Sequence, residues 1–153
     1  MDSDFRPCVL AVFSNERGEV LVGERALPRG AWQFPQGGID PGEAPDEALR
    51  REMSEEIGCA DFDVLARSAA GIRYHFPPDS TAPVAKQFRG QDQIWFHLRF
   101  RGGAGPDLEK ARDREFIATA WVTPEEALRR VVAFKKAAYV QGLAELGLLP
   151  QRR

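Results

Sequence analysis

Short apolar runs separated by polar turn segments dominate the first part of the chain. The run "CVLAVFS" at residues 8–14 has the length of a buried strand, "NERG" follows it, and "EVLVGER" at residues 19–25 alternates apolar and polar positions. Two such runs joined by a short polar segment predict a β-hairpin. The run "WQFP", residues 32–35, is a further short apolar segment and ends just before a pair of glycines.

The rest of the chain adds further strand candidates with longer connections. These candidates are "DFDVLARSA", "GIRYHFP", "DQIWFHLRF" and "EFIATAWV", at residues 61–69, 71–77, 92–100 and 115–122. Two segments rich in proline, glycine and charge, residues 77–90 and 101–114, are predicted to be loops.

One helix is predicted over residues 44–57. Pro45 suits the first helical turn, acidic residues follow it at the positive end of the helix dipole, and Gly58 suits the C-terminal cap. Leu49, Met53 and Ile57 recur at every fourth position and form an apolar stripe for the core.

Two more helices are predicted near the end of the chain. Thr123 is the expected N-cap of the first, with Pro124 at its first position and Glu126 completing a capping box. The last helix covers residues 135–147, is weakened by an internal glycine and closes at Gly147. The order of elements predicts a mixed β-sheet with helices packed against it, of the α/β or α+β class, in a single domain over residues 1–153.

Composition narrows the class of protein without defining the chemistry. The chain has 153 residues, a hydrophobic fraction of 43% and a net charge of −2, which argues against charge-driven bulk binding of nucleic acid. No apolar run approaches the ~18 residues of a membrane span, and the acidic start has no signal-peptide pattern. Cys8 and Cys59 have no metal-binding spacing and are predicted to be reduced and buried. These features predict a cytoplasmic protein with no membrane partner.

Three glutamates crowd about one turn of the first predicted helix. Glu52, Glu55 and Glu56 are spaced i, i+3 and i+4, so they share a face beside the apolar stripe. A solvated acidic face is the simplest interpretation of such a cluster. That interpretation explains neither the glycine turn before the helix nor Arg51 among the acids. Clustered carboxylate oxygens suit Mg²⁺ or Mn²⁺, which also bind water and substrate phosphates.

These residues match a named pattern, the Nudix box G-x5-E-x7-R-E-U-x-E-E-x-G-U, where U is a bulky apolar residue. The matching positions are Gly37, Glu43, Arg51, Glu52, Met53, Glu55, Glu56, Gly58 and Cys59. Cys59 departs from the usual aliphatic residue but remains apolar when buried. The chain therefore resembles the Nudix hydrolase superfamily.

The resemblance implies the Nudix fold, a mixed sheet between helices, and hydrolysis of a P–O–P bond with Mg²⁺ or Mn²⁺. It implies metal ligation by Glu52, Glu55 and Glu56, often joined by the Gly37 carbonyl. Glu115 aligns with a further metal ligand or base, or is an ordinary acid at a strand edge. The catalytic base is left open among these four glutamates. Two other box residues, Glu43 and Arg51, are implied to orient the loop and the ligands.

Segments outside the box resemble bacterial RNA 5′-pyrophosphohydrolases and dinucleoside polyphosphate hydrolases. The most discriminating are "WQFPQGG" and "VVAFKK". The resemblance implies phosphate contacts from Arg6 and Arg25, whose guanidinium groups match phosphate oxygens bidentately. Gln91 and Gln93, in "GQDQ", are implied substrate contacts by alignment alone, and this segment also simply begins a strand.

The resemblance also implies a contact with a nucleobase. Phe134 would stack on a base and Lys135 would contact nucleic acid, while Tyr74 is a second candidate for a base or ribose contact. A phenylalanine at a helix start is also a common core residue, so both interpretations of Phe134 stay open.

The leading hypothesis is removal of pyrophosphate, or of phosphates stepwise, from 5′-triphosphorylated RNA. A dinucleoside polyphosphate hydrolase is the close alternative, and a nucleoside triphosphate pyrophosphatase is the third. A non-catalytic nucleotide-sensing module is the alternative of another class, but such modules usually lose a box glutamate and this chain keeps them all. A homodimer is compatible with the sequence.

Overall fold

A computed structural model describes residues 4–149 of the chain. Within that range the elements in chain order are β1 (Phe5–Phe13), β2 (Val20–Arg25), β3 (Trp32–Gln33), β4 (Gln36–Gly38), α1 (Pro45–Ile57), β5 (Phe62–Arg67), β6 (Ile72–His75), α2 (Pro83–Gln87), β7 (Gly90–Phe100), β8 (Phe116–Val122), α3 (Pro124–Arg130), a 3₁₀ turn (Ala133–Lys135) and α4 (Lys136–Glu145).

The strands form two sheets. The larger sheet has the order β4-β1-β7-β5, and β6 also pairs with β7. In this sheet β1 runs parallel to β7 and antiparallel to β4. The smaller sheet has the order β3-β2-β8 and is antiparallel. The pairing of β1 with β4 matters most for function, because β4 carries the glycine pair that precedes α1.

The predicted hairpin between the first two strands is wrong. β1 and β2 lie in different sheets, and one isolated bridge between Ser14 and Val20 joins their ends. Both strands are buried over most of their length, so each needs neighbours on both sides rather than only its successor in sequence.

Two apolar clusters lie on opposite faces of the larger sheet. Trp95 and Phe96 are consecutive on β7 and therefore point to opposite faces. Trp95 packs with Tyr139 of α4, whereas Phe96 packs in the cluster that contains Met53 of α1. The predicted architecture, a mixed sheet between helices, is confirmed. None of the helices within residues 4–149 is long and apolar enough to cross a membrane.

The signals at the ends of α1 act as predicted. Pro45 is its first residue, and Gly58 ends it in the left-handed conformation with φ of 68°. The side chain of Glu47 accepts a hydrogen bond from the backbone N–H of Ala44 at 3.0 Å. These local contacts fix where the three glutamates stand relative to the preceding glycine turn.

The later helices differ in detail from the prediction. Thr123 caps α3 by accepting from the backbone N–H of Glu126 at 3.1 Å, but the Glu126 side chain pairs with two arginines of α3, so half of the capping box is wrong. The predicted loop 77–90 contains α2. α4 runs through Gly142, where any added Cβ would overlap the ring of Trp95, so this glycine permits close packing.

Candidate active site

The box glutamates stand on α1 next to β4. Glu56 is almost completely buried and Glu52 is nearly so, whereas Glu55 is partly exposed. One carboxylate oxygen of Glu56 accepts a hydrogen bond from the backbone N–H of Gln36 at 2.9 Å. The helix and the strand therefore hold two buried carboxylates and one partly exposed carboxylate on a single face.

Gly37 lets β4 approach the helix. A Cβ built at Gly37 would overlap the carboxylate of Glu52. The absence of a side chain therefore brings the strand backbone against a predicted metal ligand, which is a physical reason for the first glycine of the box.

Arg51 ties the acidic cluster together. Its guanidinium makes a bidentate contact with Glu43, with both distances at 2.8 Å, and a 2.8 Å contact with Glu52. It also contacts Glu55 at 3.3 Å and the carbonyl oxygen of Gly38 at 2.8 Å. Hydrogen bonding from Arg51 lowers the pKa of Glu43 to about 2. Arg51 and Glu43 thus hold the glycine turn to the helix.

Among the described residues the ion pairs of Arg51 do not include Glu47, although Glu47 precedes it by four positions on α1. Glu47 lies in the first turn of α1 and caps Ala44 instead. The direction of the Arg51 side chain is set by the glycine turn, which helical spacing alone does not describe.

Asp113 joins the cluster although the sequence did not single it out. Single carboxylate oxygens of Glu52, Glu55 and Asp113 lie within 4.8 Å of one another. The backbone N–H of Asp113 donates to the carbonyl oxygen of Glu55 at 2.8 Å, and Arg112 forms an ion pair with the Glu55 side chain. The loop that follows β7 thus docks on the last turn of α1. The available signal was an acid two residues before Glu115.

Burial and mutual repulsion govern the charges of this site. Burial raises the pKa of Glu56 well above its ordinary value, and the neighbouring Glu115 raises it further. Burial also raises the pKa of Glu52, while hydrogen bonding from Arg51 opposes that shift. A divalent cation would offset this repulsion, since two charges ~4 Å apart interact by about 4 kcal/mol at a protein-like effective dielectric constant. The residues present therefore fit a hard cation with oxygen ligands.

A pH dependence of stability follows for the metal-free protein. As pH rises above 4.5, the unfolded chain loses the Glu56 proton while the folded protein keeps it. The free energy of unfolding should therefore contain a Glu56 contribution that falls with pH, by at most about 1.4 kcal/mol per unit. Urea unfolding at a series of pH values rising from 4.5 should show this decline, and Glu56→Gln should weaken it. An identical pH slope in the variant would contradict the assignment.

A cavity of about 400 Å³ lies beside the acidic cluster, and we call it the main cavity. Most of the residues predicted to bind substrate line it, together with the fourth predicted acid: Arg6, Arg25, Tyr74, Gln91, Glu115, Phe134 and Lys135. Strands β1, β2, β6 and β7, the residue before β8 and the 3₁₀ turn contribute these residues, so segments far apart in sequence meet at one space.

Gln93 does not line the main cavity. Its side chain is fully buried, and its amide nitrogen donates to the Gln36 side chain at 2.6 Å and to that of Gln91 at 3.2 Å. Gln91 in turn accepts from the Tyr74 hydroxyl at 2.7 Å. Gln93 therefore lies behind the cavity wall and hydrogen-bonds to two residues that line it, and its substrate contact stays a prediction from the resemblance.

The aromatic and basic residues of the 3₁₀ turn face the main cavity. Phe134 is 37% exposed, and its ring lies 5.7 Å from that of Tyr74, so it is a surface residue rather than a core residue. The ammonium group of Lys135 donates to the Gln33 side chain at 3.1 Å and lies 5.6 Å from the Tyr74 ring centroid. Burial, reinforced by Arg25, lowers the pKa of Lys135 to about 8.

Comparison with known proteins identifies the family to which this chain belongs. The chain matches the family described as NUDIX domain over residues 4–142. The chain belongs to the NUDIX family. A curated relative named RNA pyrophosphohydrolase, from Gluconobacter oxydans (strain 621H), is 38% identical, covering 99% of this chain and 91% of the relative. A relative of the same name from Helicobacter pylori (strain ATCC 700392 / 26695) is 40% identical, covering 92% of each chain.

Solved structures of NUDIX-like proteins share the fold at low sequence identity. The E. coli dihydroneopterin triphosphate pyrophosphohydrolase superposes with a TM-score of 0.66 at 16% identity, covering 90% of this chain and 95% of that one. A C. elegans Ap4A hydrolase binary complex gives 0.64 at 18% identity, covering 93% and 99%. At these identities the likeness establishes the NUDIX fold alone.

NUDIX hydrolases use divalent metal ions, and the cluster of Glu52, Glu55 and Asp113 is a possible place for one. Membership of the NUDIX family also favours an enzyme over a non-catalytic module, because this chain retains every acidic position of the box.

Proposed function

We propose that this protein hydrolyses the 5′-triphosphate end of RNA to a 5′-monophosphate, releasing pyrophosphate or phosphates stepwise. The observation that carries the proposal is the main cavity. Arg6 and Arg25, the proposed phosphate contacts, and the aromatic pair Tyr74 and Phe134 line it next to a carboxylate cluster. The names of relatives that are about 40% identical over most of the chain support the same substrate class.

Glu52, Glu55 and Glu56 are the proposed ligands of Mg²⁺ or Mn²⁺, with the Gly37 carbonyl and Glu115 as further proposed contacts. Asp113 is added from its distance to Glu52 and Glu55. Such an ion, when bound, neutralises the carboxylates, polarises phosphoryl oxygens and lowers the pKa of a bound water.

The protein's own groups bind and orient the substrate. Arg6 and Arg25 line the main cavity, where their guanidinium groups can bind phosphate oxygens of the triphosphate. The rings of Tyr74 and Phe134 offer a stacking surface for a base, and the ammonium group of Lys135 adds positive charge nearby. The general base is proposed to be one of the four glutamates, Glu52, Glu55, Glu56 or Glu115.

Product analysis tests this proposal directly. A triphosphorylated RNA oligonucleotide labelled at its γ- and β-phosphates should yield pyrophosphate, or two successive phosphates, together with monophosphorylated RNA. Diadenosine tetraphosphate should be cleaved in parallel under the same metal concentration. Faster cleavage of the dinucleotide would favour the dinucleoside polyphosphate hydrolase, and preference for free nucleoside triphosphates would favour the third alternative. A homodimer and a cytoplasmic location stay predictions from sequence.

A further inference from the structure

A second cavity adjoins the main cavity. It has a volume of about 250 Å³, and we call it the downstream cavity. Phe76 and Ser80 line both cavities. The segment that contains α2 contributes Val84 to the main cavity and Ala85 to the downstream cavity. This segment therefore forms a wall between the two spaces.

The base of this wall is tied to the larger sheet. The backbone N–H of Phe76 donates to the carbonyl oxygen of Arg89 at 2.9 Å, and the N–H of Arg89 donates to the carbonyl oxygen of Asp4 at 2.7 Å. A surface segment of this length with closely spaced ends has the form of an Ω-loop, a class that is frequently functional. The residues at its two ends, Phe76 and Arg89, both line the downstream cavity and are held at fixed positions.

The downstream cavity has the chemistry of a single-strand nucleotide site. Three of its eight lining residues carry aromatic rings, His75, Phe76 and Phe88, and none of the eight is acidic. Single-stranded nucleic acid is bound by stacking on such rings combined with nearby positive charge. Arg89 supplies that charge, and its side chain is 68% exposed.

The Arg89 guanidinium is suited to exchange partners. Its ion pair with Asp4 has a distance of 3.5 Å and lies at the surface, where such pairs contribute little stability. A phosphodiester offers two oxygens for bidentate binding by guanidinium. Arg89 therefore lies where its charge would neutralise the phosphodiester backbone of an RNA that passes over the α2 segment.

We propose that the downstream cavity binds a nucleotide of the RNA that lies 3′ to the nucleotide in the main cavity. Phe88 and Phe76 provide the stacking surfaces, and Arg89 binds the connecting phosphate. This inference rests on the proposed function, since it assigns a further part of the same RNA substrate. It predicts that catalytic efficiency depends on RNA length. Binding at the acidic cluster and the main cavity alone would give no such dependence.

The test compares a nucleoside 5′-triphosphate, which has no nucleotide on its 3′ side, with a triphosphorylated pentanucleotide that begins with the same base. Wild-type protein should cleave the pentanucleotide with the higher kcat/KM. Phe88→Ala and Arg89→Ala should each lower kcat/KM for the pentanucleotide about fivefold or more through KM, and leave that for the nucleoside triphosphate unchanged. Lys86→Ala is the matched control, because Lys86 is an exposed cation of α2 that lines neither cavity.

Two further variants separate binding from folding. Phe88→Leu keeps an apolar side chain but removes the ring, and Arg89→Gln keeps a polar side chain but removes the charge. Both should lose the length effect, with thermal unfolding close to that of wild type. Equal kcat/KM on both substrates in the wild type, or equal losses on both substrates in the variants, would overturn the inference alone. Failure of the wild type to cleave the pentanucleotide would overturn the proposed function as well.

Discussion

Replacing Glu56 by glutamine is expected to lower kcat about 10²–10⁴-fold, the range for loss of a positioned acid–base group. Glutamine has nearly the same shape and keeps an oxygen that can accept from the Gln36 backbone N–H, but it removes the negative charge. That charge is buried and lies beside Glu115, so it is costly without a cation and available to bind one. Steady-state hydrolysis of triphosphorylated RNA at saturating Mg²⁺ measures the effect.

Matched substitutions make this result specific. Glu125→Gln removes an exposed carboxylate of α3 that lines neither cavity and should leave kcat unchanged. The same change at Glu52, Glu55 and Glu115, followed over pH, should identify the base as the position whose loss removes the acid limb of the rate profile. Hydrolysis at the wild-type rate by Glu56→Gln would show that the catalytic assignment is wrong.

The variant Gly37→Ala is expected to lose about 10²-fold in kcat while remaining folded. The added Cβ would occupy the space of the Glu52 carboxylate, so that carboxylate or β4 must move. A shift of about 1 Å in a catalytic site is enough for a loss of this size. Rates with Mg²⁺ and the dissociation constant of Mn²⁺, measured by electron paramagnetic resonance, should both change.

The control for this variant is Gly105→Ala. Gly105 lies in the loop after β7, and a Cβ built there meets no atom within 4 Å. The Gly105→Ala variant should keep the wild-type rate and metal affinity. If Gly37→Ala kept both as well, the close approach of β4 to α1 would have no part in organising the site.

The sequence predicted the position of α1 to within one residue, because its end signals are local. Pro45 and Gly58 act through their own backbone conformation and do not depend on distant partners. The pairing of the strands was harder to infer. β1 and β2 are neighbours in sequence, yet β1 pairs with β4 and β7, and apolar patterning contains no information on which buried strand is the partner.

The active site shows the same difference between features that local spacing predicts and contacts that depend on the tertiary fold. The box glutamates were identified because their spacing places them on one helical face. Asp113 was missed because it reaches Glu55 through a loop contact that no period describes. The buried position of Gln93 could not be inferred from the sequence, because the resemblance that implied its substrate contact does not show that the Gln36 side chain is its hydrogen-bond partner.

The central claim is that a divalent cation, shared with substrate phosphates, makes this dense group of carboxylates stable. Anomalous scattering from crystals soaked with Mn²⁺ and a non-hydrolysable 5′-triphosphorylated dinucleotide measures it directly. The account predicts a manganese peak bound by carboxylates of Glu52, Glu55 and Glu56, with phosphoryl oxygens completing its coordination. Ordered phosphates in the main cavity, with those three carboxylates bare and manganese bound elsewhere, would contradict it.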